Sequence, residues 1–200
     1  MTKVIKSDDL KTICQAIKNG KVVAFPTETV YGVGVKFGDH QALDALMEAK
    51  NRDYSKAVTL MVNNKSEIGK YAIVSHDAKK IVDAFMPGMI TMVFQKKDSV
   101  DDYMTNGLST IGIRIPDSAY VLALLKNAGP MLVTSANLSN HPNTTNTKEV
   151  LDQLDGRIEL VVDGKTTDNI ASTVIDVSQG SVKILREGKI SKEMIEEVLK

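Results

Sequence analysis

The chain has 200 residues, 42% of them hydrophobic and 25% charged, and its 25 Lys and Arg residues are matched by 25 Asp and Glu residues. That length and composition describe one globular domain whose core needs no metal or disulfide staple, and they exclude a disordered chain, a collagen-like chain and a coiled coil. The charge balance excludes a general electrostatic coat for nucleic acid, so any basic patch has to be built locally.

In chain order, strand-like runs alternate with helix-like runs. Asp8 to Asn19 carries Leu10, Ile13, Cys14 and Ile17 at helical spacing, with Gly20 after the helix end. Val22 to Phe25 reads as a short buried strand broken by Pro26. Asp39 is the expected N-cap of a helix running to Lys50, and Ser75 the expected N-cap of another that Pro87-Gly88 stops. Ala57 to Val62, Met89 to Phe94, Thr110 to Ile115 and Met131 to Thr134 read as strands, with a helix from Ala119 to Asn127 before the last. A polar stretch from Ser135 to Thr147 follows, then a helix around Lys148 to Leu154. Strands near Ile158 to Val162, Ser172 to Val177 and Val182 to Leu185 precede a closing helix from Ser191 to Leu199. Strands without helices between them near the end argue for a mixed sheet. The expected fold is a single α/β domain over residues 1–200, a twisted mixed sheet with flanking helices.

Several chemistries are absent from the pattern. Cys14 is the only cysteine, which forbids an internal disulfide and argues against structural zinc. No apolar run approaches the roughly 20 residues that span a bilayer, and the amino terminus has no secretory pattern. A soluble cytoplasmic protein is expected. The glycines at 32, 34 and 38 miss the dinucleotide fingerprint by one residue, since Phe37 stands where the third glycine belongs. There is no Walker loop and no G-x-S-x-G elbow, and His40, His76 and His141 are isolated, so no metal-ligand set is expected.

Four polar stretches at strand ends carry the information: residues 26–32, Lys50-Asn51-Arg52 with Lys56, the strand Thr110-Ile-Gly-Ile-Arg114, and Thr134-Ser135-Ala136-Asn137. Ligands of open α/β sheets collect beyond strand ends, so these loops are expected to converge on one pocket. Lys50, Arg52 and Lys56 are enough to bracket a triphosphate, or else are helix C-terminal charges followed by a solvated turn. Arg114 alternates with isoleucines in an inner strand and needs an anionic partner, either a structural carboxylate or a ligand's. Ser135 to Asn137 reads equally well as a plain turn.

In combination these segments resemble the YrdC/Sua5 family of threonylcarbamoyl-AMP synthases, in its short single-domain form. The resemblance runs from about Gly20 to Arg186. It rests on Phe25-Pro-Thr-Glu-Thr-Val-Tyr-Gly32, Lys50-Asn-Arg52, Pro87-Gly88, Arg114-Ile-Pro116, Ser135-Ala-Asn-Leu-Ser139, Ser172-Thr-Val-Ile-Asp176 and Leu185-Arg186, in that order. It implies a YrdC-like domain with a basic concave pocket. The implied reaction takes L-threonine, bicarbonate or CO2, and ATP with Mg2+ to threonylcarbamoyl-adenylate and pyrophosphate. A separate transferase then uses the product to make threonylcarbamoyladenosine (t6A) in tRNA, with tRNA itself a further partner. By the resemblance, Arg52, Lys56, Thr110, Ser135, Asn143 and Arg186 contact ATP, while Thr29, Arg114, Val133 and Ser172 contact threonine. Lys50 and Arg52 are the expected catalytic cations, with Lys50 near the phosphates.

The chain departs from the family at Met61, where longer relatives carry a histidine, and at Ala57-Val58, Asn140 and Ala171. It is also expected to lack the extra C-terminal domain of the longer members. Two competing readings remain. One is a non-catalytic RNA-binding module using the same concavity, against which stand the neutral charge and 4% aromatics. The other is the related carbamoyl-transfer domain of hydrogenase-maturation enzymes, whose cysteine motifs this chain lacks.

Overall fold

The structure, a computed structural model, describes residues 1–200. Ten strands form one mixed sheet: β1 (Lys3–Ile5), β2 (Val23–Phe25), β3 (Gly32–Lys36), β4 (Thr59–Met61), β5 (Ile90–Gln95), β6 (Thr110–Arg114), β7 (Met131–Ser135), β8 (Leu160–Val162), β9 (Thr173–Asp176) and β10 (Lys183–Arg186). Their spatial order is β1-β8-β2-β3-β7-β4-β6-β5-β9-β10. The pairs β1/β8, β2/β8, β4/β6 and β5/β9 are parallel and the other five antiparallel, the mixed arrangement expected from the sequence.

Seven helices flank the sheet: α1 (Leu10–Lys18), α2 (His40–Ala49), α3 (Lys65–Tyr71), α4 (His76–Phe85), α5 (Ala119–Ala128), α6 (Thr147–Leu154) and α7 (Lys192–Leu199). The two expected caps are in place. Asp39 accepts from Ala42 N and Ser75 from Ala78 N, each satisfying an orphan amide of a first turn.

The sequence reading assigned no element to residues 32–36. They form β3, paired with β2 and β7. Glycines weaken a strand and hide it from propensity, but close backbone approach requires one at Gly34. A Cβ there would stand 2.8 Å from both Leu132 O and Val133 Cγ2. Also unforeseen were β1, α3 and a 3-10 helix at Asp102–Thr105, all too short to show a periodicity.

The helices divide unequally between the two faces. One face packs a 37-residue apolar cluster that includes Leu43 and Leu46 of α2, Ile81 and Val82 of α4, and Val150 and Leu154 of α6. The other face packs only 15, under α1 and α5. That smaller cluster draws on β1, β8, β2, β7 and the end of β4, and takes nothing from β6, β5, β9 or β10. Half of one sheet face is therefore left without a helix.

Candidate active site

A cleft of about 380 Å³ occupies this bare half-face. Its floor follows from strand alternation. Ile111 and Ile113 of β6 point into the large core, so Thr110, Gly112 and Arg114 point into the cleft, together with Thr91 and Val93 of β5 and Thr59 and Met61 of β4. The walls are the 27–32 segment, the end of β7, Asn143, Ser172 and Arg186. The charged residues of its lining are Arg52, Arg114 and Arg186, with no carboxylate among them.

Gly112 makes the floor deep. A Cβ there would meet nothing nearer than Thr91 Cγ2 at 3.7 Å, ordinary contact, so packing does not demand glycine. A strand-interior glycine costs about 0.5–1 kcal/mol relative to alanine, and at this position it leaves room for a ligand. Gly112→Val should leave the thermal midpoint unchanged or raised while sharply weakening ligand binding. Intact binding in the valine variant would show that the ligand does not lie over β6.

Arg114 has a structural carboxylate partner and also keeps donors without a protein partner. It is 6% exposed. Its Nη2 donates to Glu28 Oε1 at 2.6 Å and to Thr29 Oγ1 at 3.1 Å. Asp117 N also donates to Glu28 Oε1, at 3.0 Å. Nε is buried and unpartnered, and Nη1 makes no hydrogen bond. Nη2, which belongs to both hydrogen-bonding edges of the guanidinium, is thus anchored, while Nε and Nη1 have no protein partner, so the buried cation keeps donor capacity for an anionic group. Thr29 is oriented in turn. Thr27 Oγ1 donates to Val30 O and stands 2.9 Å from Thr29 Oγ1.

Arg186 is held at the far wall, donating from Nε and Nη2 to Ser172 O at 3.0 and 2.8 Å and from Nη2 to Ser172 Oγ at 3.2 Å. Ser172 Oγ lies 3.0 Å from Thr91 Oγ1. Burial lowers the Arg186 pKa, and the charge of Arg114 lowers it further. Two guanidiniums that repel across a cleft favour an anion between them. Arg52 turns back on its own loop, donating from Nε to Lys56 O at 3.2 Å and from Nη2 to Ala57 O at 2.6 Å, and burial lowers its pKa too.

Arg52, Thr110, Ser135, Asn143, Arg186, Thr29, Arg114, Val133 and Ser172 all line this cleft. Two expected residues, Lys50 and Lys56, are not part of its lining. Lys50, expected at the phosphates, is the C-cap residue of α2 and 1% exposed. Its Nζ donates to the carbonyls of Ser135 and Asn137 from behind their loop, and its own carbonyl accepts from Ser139 N at 3.0 Å. It supports the loop. Lys56 is exposed at the rim, where Nζ donates to Asn140 Oδ1 at 3.0 Å. The sequence reading assigned no role to Glu28, although the need of Arg114 for a buried carboxylate was its signal. Thr27 lies in the 26–32 stretch expected at the pocket but was given no role, and Thr91 was unassigned, since only the pairing of β5 with β6 brings it to the cleft.

No group of three His, Cys, Asp or Glu side chains is placed to hold a metal ion.

Fold and cleft together define a mixed-sheet α/β domain built to take an anionic ligand on an uncovered half-face. The sequence profile of the Sua5_yciO_yrdC family, described as "Telomere recombination", matches residues 15–188. The chain belongs to the Sua5/YciO/YrdC family. It is 36% identical over 204 aligned residues to the threonylcarbamoyl-AMP synthase of Bacillus subtilis, an alignment covering 96% of this chain and 59% of that protein. It is 34% identical over 182 residues to a putative threonylcarbamoyl-AMP synthase of Methanocaldococcus jannaschii, covering 90% of this chain and 86% of that one. The crystal structure of Pyrococcus abyssi Sua5 complexed with L-threonine superposes with a TM-score of 0.93 at 31% identity, over 99% of this chain and 61% of that one. The chain thus spans less than two thirds of the Bacillus and Pyrococcus proteins.

Proposed function

We propose that the chain is an ATP-dependent L-threonylcarbamoyladenylate synthase, a nucleotidyltransferase whose substrates are L-threonine, bicarbonate or CO2, and ATP carried with Mg2+. The observation that carries this reading is the buried guanidinium of Arg114, anchored through Nη2 with Nη1 lacking a protein partner, lining the same cleft as Arg52 and Arg186. One carboxylate receptor and two further cations suit an amino acid and a polyphosphate side by side. The relatives named threonylcarbamoyl-AMP synthase support the same assignment.

In this reading Arg114 holds the threonine carboxylate, with the hydroxyls of Thr29 and Ser172 and the backbone of Val133 orienting the rest. Arg52, Arg186, Thr110, Ser135 and Asn143 bind the nucleotide. The threonine nitrogen bonds to the carbon of CO2 and loses a proton, giving a carbamate. A carbamate oxygen then attacks the α-phosphorus, and the bond from that phosphorus to the bridging oxygen breaks as pyrophosphate leaves. No side chain needs to become covalently linked. The protein contributes positioning and positive charge, the main levers in phosphoryl-type transfer. The product passes to a separate transferase that modifies tRNA, and the proposed setting is the cytoplasm. No helix is long and apolar enough to cross a membrane.

Non-catalytic RNA binding is the weaker reading, because Tyr31 is the one aromatic residue lining the cleft and a stacking platform needs several. The deciding measurement is pyrophosphate release from MgATP with bicarbonate and each amino acid in turn. Release that requires both threonine and bicarbonate is expected. Binding of tRNA with steep salt dependence and no pyrophosphate release would replace the synthase reading.

A further inference from the structure

Arg52 sits on a strap, residues 51–57, that is nearly all surface. Residues 53–57 are exposed and add nothing to either apolar cluster. Asn51 enters the strap with φ of 47°, in the left-handed region. Inside the strap, Ser55 N donates to Asp53 Oδ1 at 2.8 Å, Lys56 N donates to Asp53 O at 3.0 Å, and the Arg52 side chain bonds to the carbonyls of Lys56 and Ala57. These bonds join the strap and the Arg52 guanidinium into one unit. Between Asp53 and Ala57 it is tied to the rest of the protein by two side-chain hydrogen bonds. One is Lys56 Nζ to Asn140 Oδ1, and the other is Tyr54 Oη to Asp44 Oδ1 at 2.8 Å.

The second tie is built from several parts. Asp44, on the outer side of α2, also accepts from Tyr103 Oη, at 2.7 Å on Oδ1 and 2.8 Å on Oδ2. The Tyr103 ring stacks on His40 with centroids 4.2 Å apart and planes 14° from parallel. His40 Nε2 lies 2.6 Å from Asp101 Oδ2, and Asp101 caps the 3-10 helix through Tyr103 N. The carboxylate is thus held from the 3-10 helix and presents Oδ1 to Tyr54. Hydrogen bonding to Asp44 pushes the Tyr103 phenol up to about 12 and raises that of Tyr54, so both stay donors at neutral pH. The exposed tyrosines do not make an RNA platform, because their hydroxyls are spent on the carboxylate of Asp44 and the negative charges of Asp44 and Glu48 lie close to Tyr54.

We infer that Asp44 is a positioning residue for the nucleotide side of the cleft, setting Arg52 through the hydroxyl of Tyr54. Nothing in the proposed chemistry touches Asp44 or Tyr54, yet they decide where the strap cation stands. The inference rests on the nucleotide-binding role proposed for Arg52 and adds residues outside the cleft to it.

The test measures MgATP and L-threonine affinities by calorimetry, and limited trypsin cleavage after Arg52 and Lys56, for wild type, Tyr54→Phe and Asp44→Ala. Both variants should weaken MgATP by about 3- to 10-fold, the range for one exposed charge-assisted hydrogen bond. Threonine affinity should stay within about twofold. The variant straps should be cut faster, and saturating MgATP should slow cleavage in wild type more than in the variants. The double variant should be no weaker than the weaker single, since both remove one contact. At saturating MgATP, kcat should be retained.

Unchanged MgATP affinity and unchanged cleavage in both single variants would overturn the inference. So would equal losses for the two substrates, or a wild-type strap that MgATP does not protect. A wild type that binds MgATP, protects the strap and releases no pyrophosphate would end the synthase reading and leave this one standing.

Discussion

Arg114→Ala should raise the threonine requirement by about 30-fold to several thousand-fold, the equivalent of roughly 2–5 kcal/mol for a buried charge-assisted contact. MgATP affinity should change by no more than about threefold, because Arg52 and Arg186 are anchored to other elements. The variant also leaves the carboxylate of Glu28, 12% exposed, with Asp117 N as its one remaining donor. An uncompensated buried charge costs about 3–5 kcal/mol, so the thermal midpoint should fall. The double variant Glu28→Ala/Arg114→Ala separates the two effects. It should recover much of the midpoint and none of the threonine binding. Recovered binding in the double variant, or equal losses for threonine and MgATP, would remove Arg114 from the carboxylate site.

Lys50→Met should raise the MgATP Kd by more than about tenfold while kcat at saturation stays within about threefold. A lysine on the phosphates would show the reverse, a collapse of turnover. The structure favours the first outcome because Nζ is spent on the carbonyls of Ser135 and Asn137. Without it, Asn137 O loses its donor, at about 1–3 kcal/mol, Ser135 O is left with the amide of Asn137, and the loop that carries Ser135 loosens.

A pH signature accompanies this variant. Burial pushes the Lys50 pKa down to about 7, with the charge of Arg52 adding to the effect. Two carbonyls match the two N–H groups of a neutral amine, and the third proton of an ammonium finds no acceptor. Above about pH 7 the folded protein carries Lys50 neutral, whereas the unfolded chain keeps it protonated up to about 10.5. The unfolded state then binds more protons, so the contribution of Lys50 to stability increases as pH rises through this window. Urea unfolding from pH 6 to 9 should give a wild-type-minus-variant difference that climbs with pH. A flat difference would show that Lys50 stays charged in its buried position.

Much of the architecture was legible because local rules and tertiary packing agree. Asp39 and Ser75 cap where a short polar side chain before an apolar face should cap. The alternation Thr110, Gly112, Arg114 against Ile111 and Ile113 assigns the two faces of β6 with no structure at all. The motif order also brought most of the cleft residues to light. Where the two levels conflict, the reading failed. β3 is a glycine-bearing strand because its neighbours crowd its backbone, a requirement that lies about a hundred residues away in β7.

The cations show where sequence stops most sharply. Lys50, Arg52 and Lys56 look equivalent in the chain, yet one is buried under a loop, one lines the cleft and one stands at the rim. Direction at a helix end is set by what packs against it. Glu28 likewise became the partner of Arg114 only through the approach of segments 86 residues apart. By itself the sequence determined the strand alternation, the caps, the family and the kinds of side chain that bind. Tertiary structure alone decided which half of the sheet stays uncovered, which cation lines the cleft and which carboxylate holds Arg114. Those outcomes depend on pairings between distant segments, and no local pattern encodes a long-range approach.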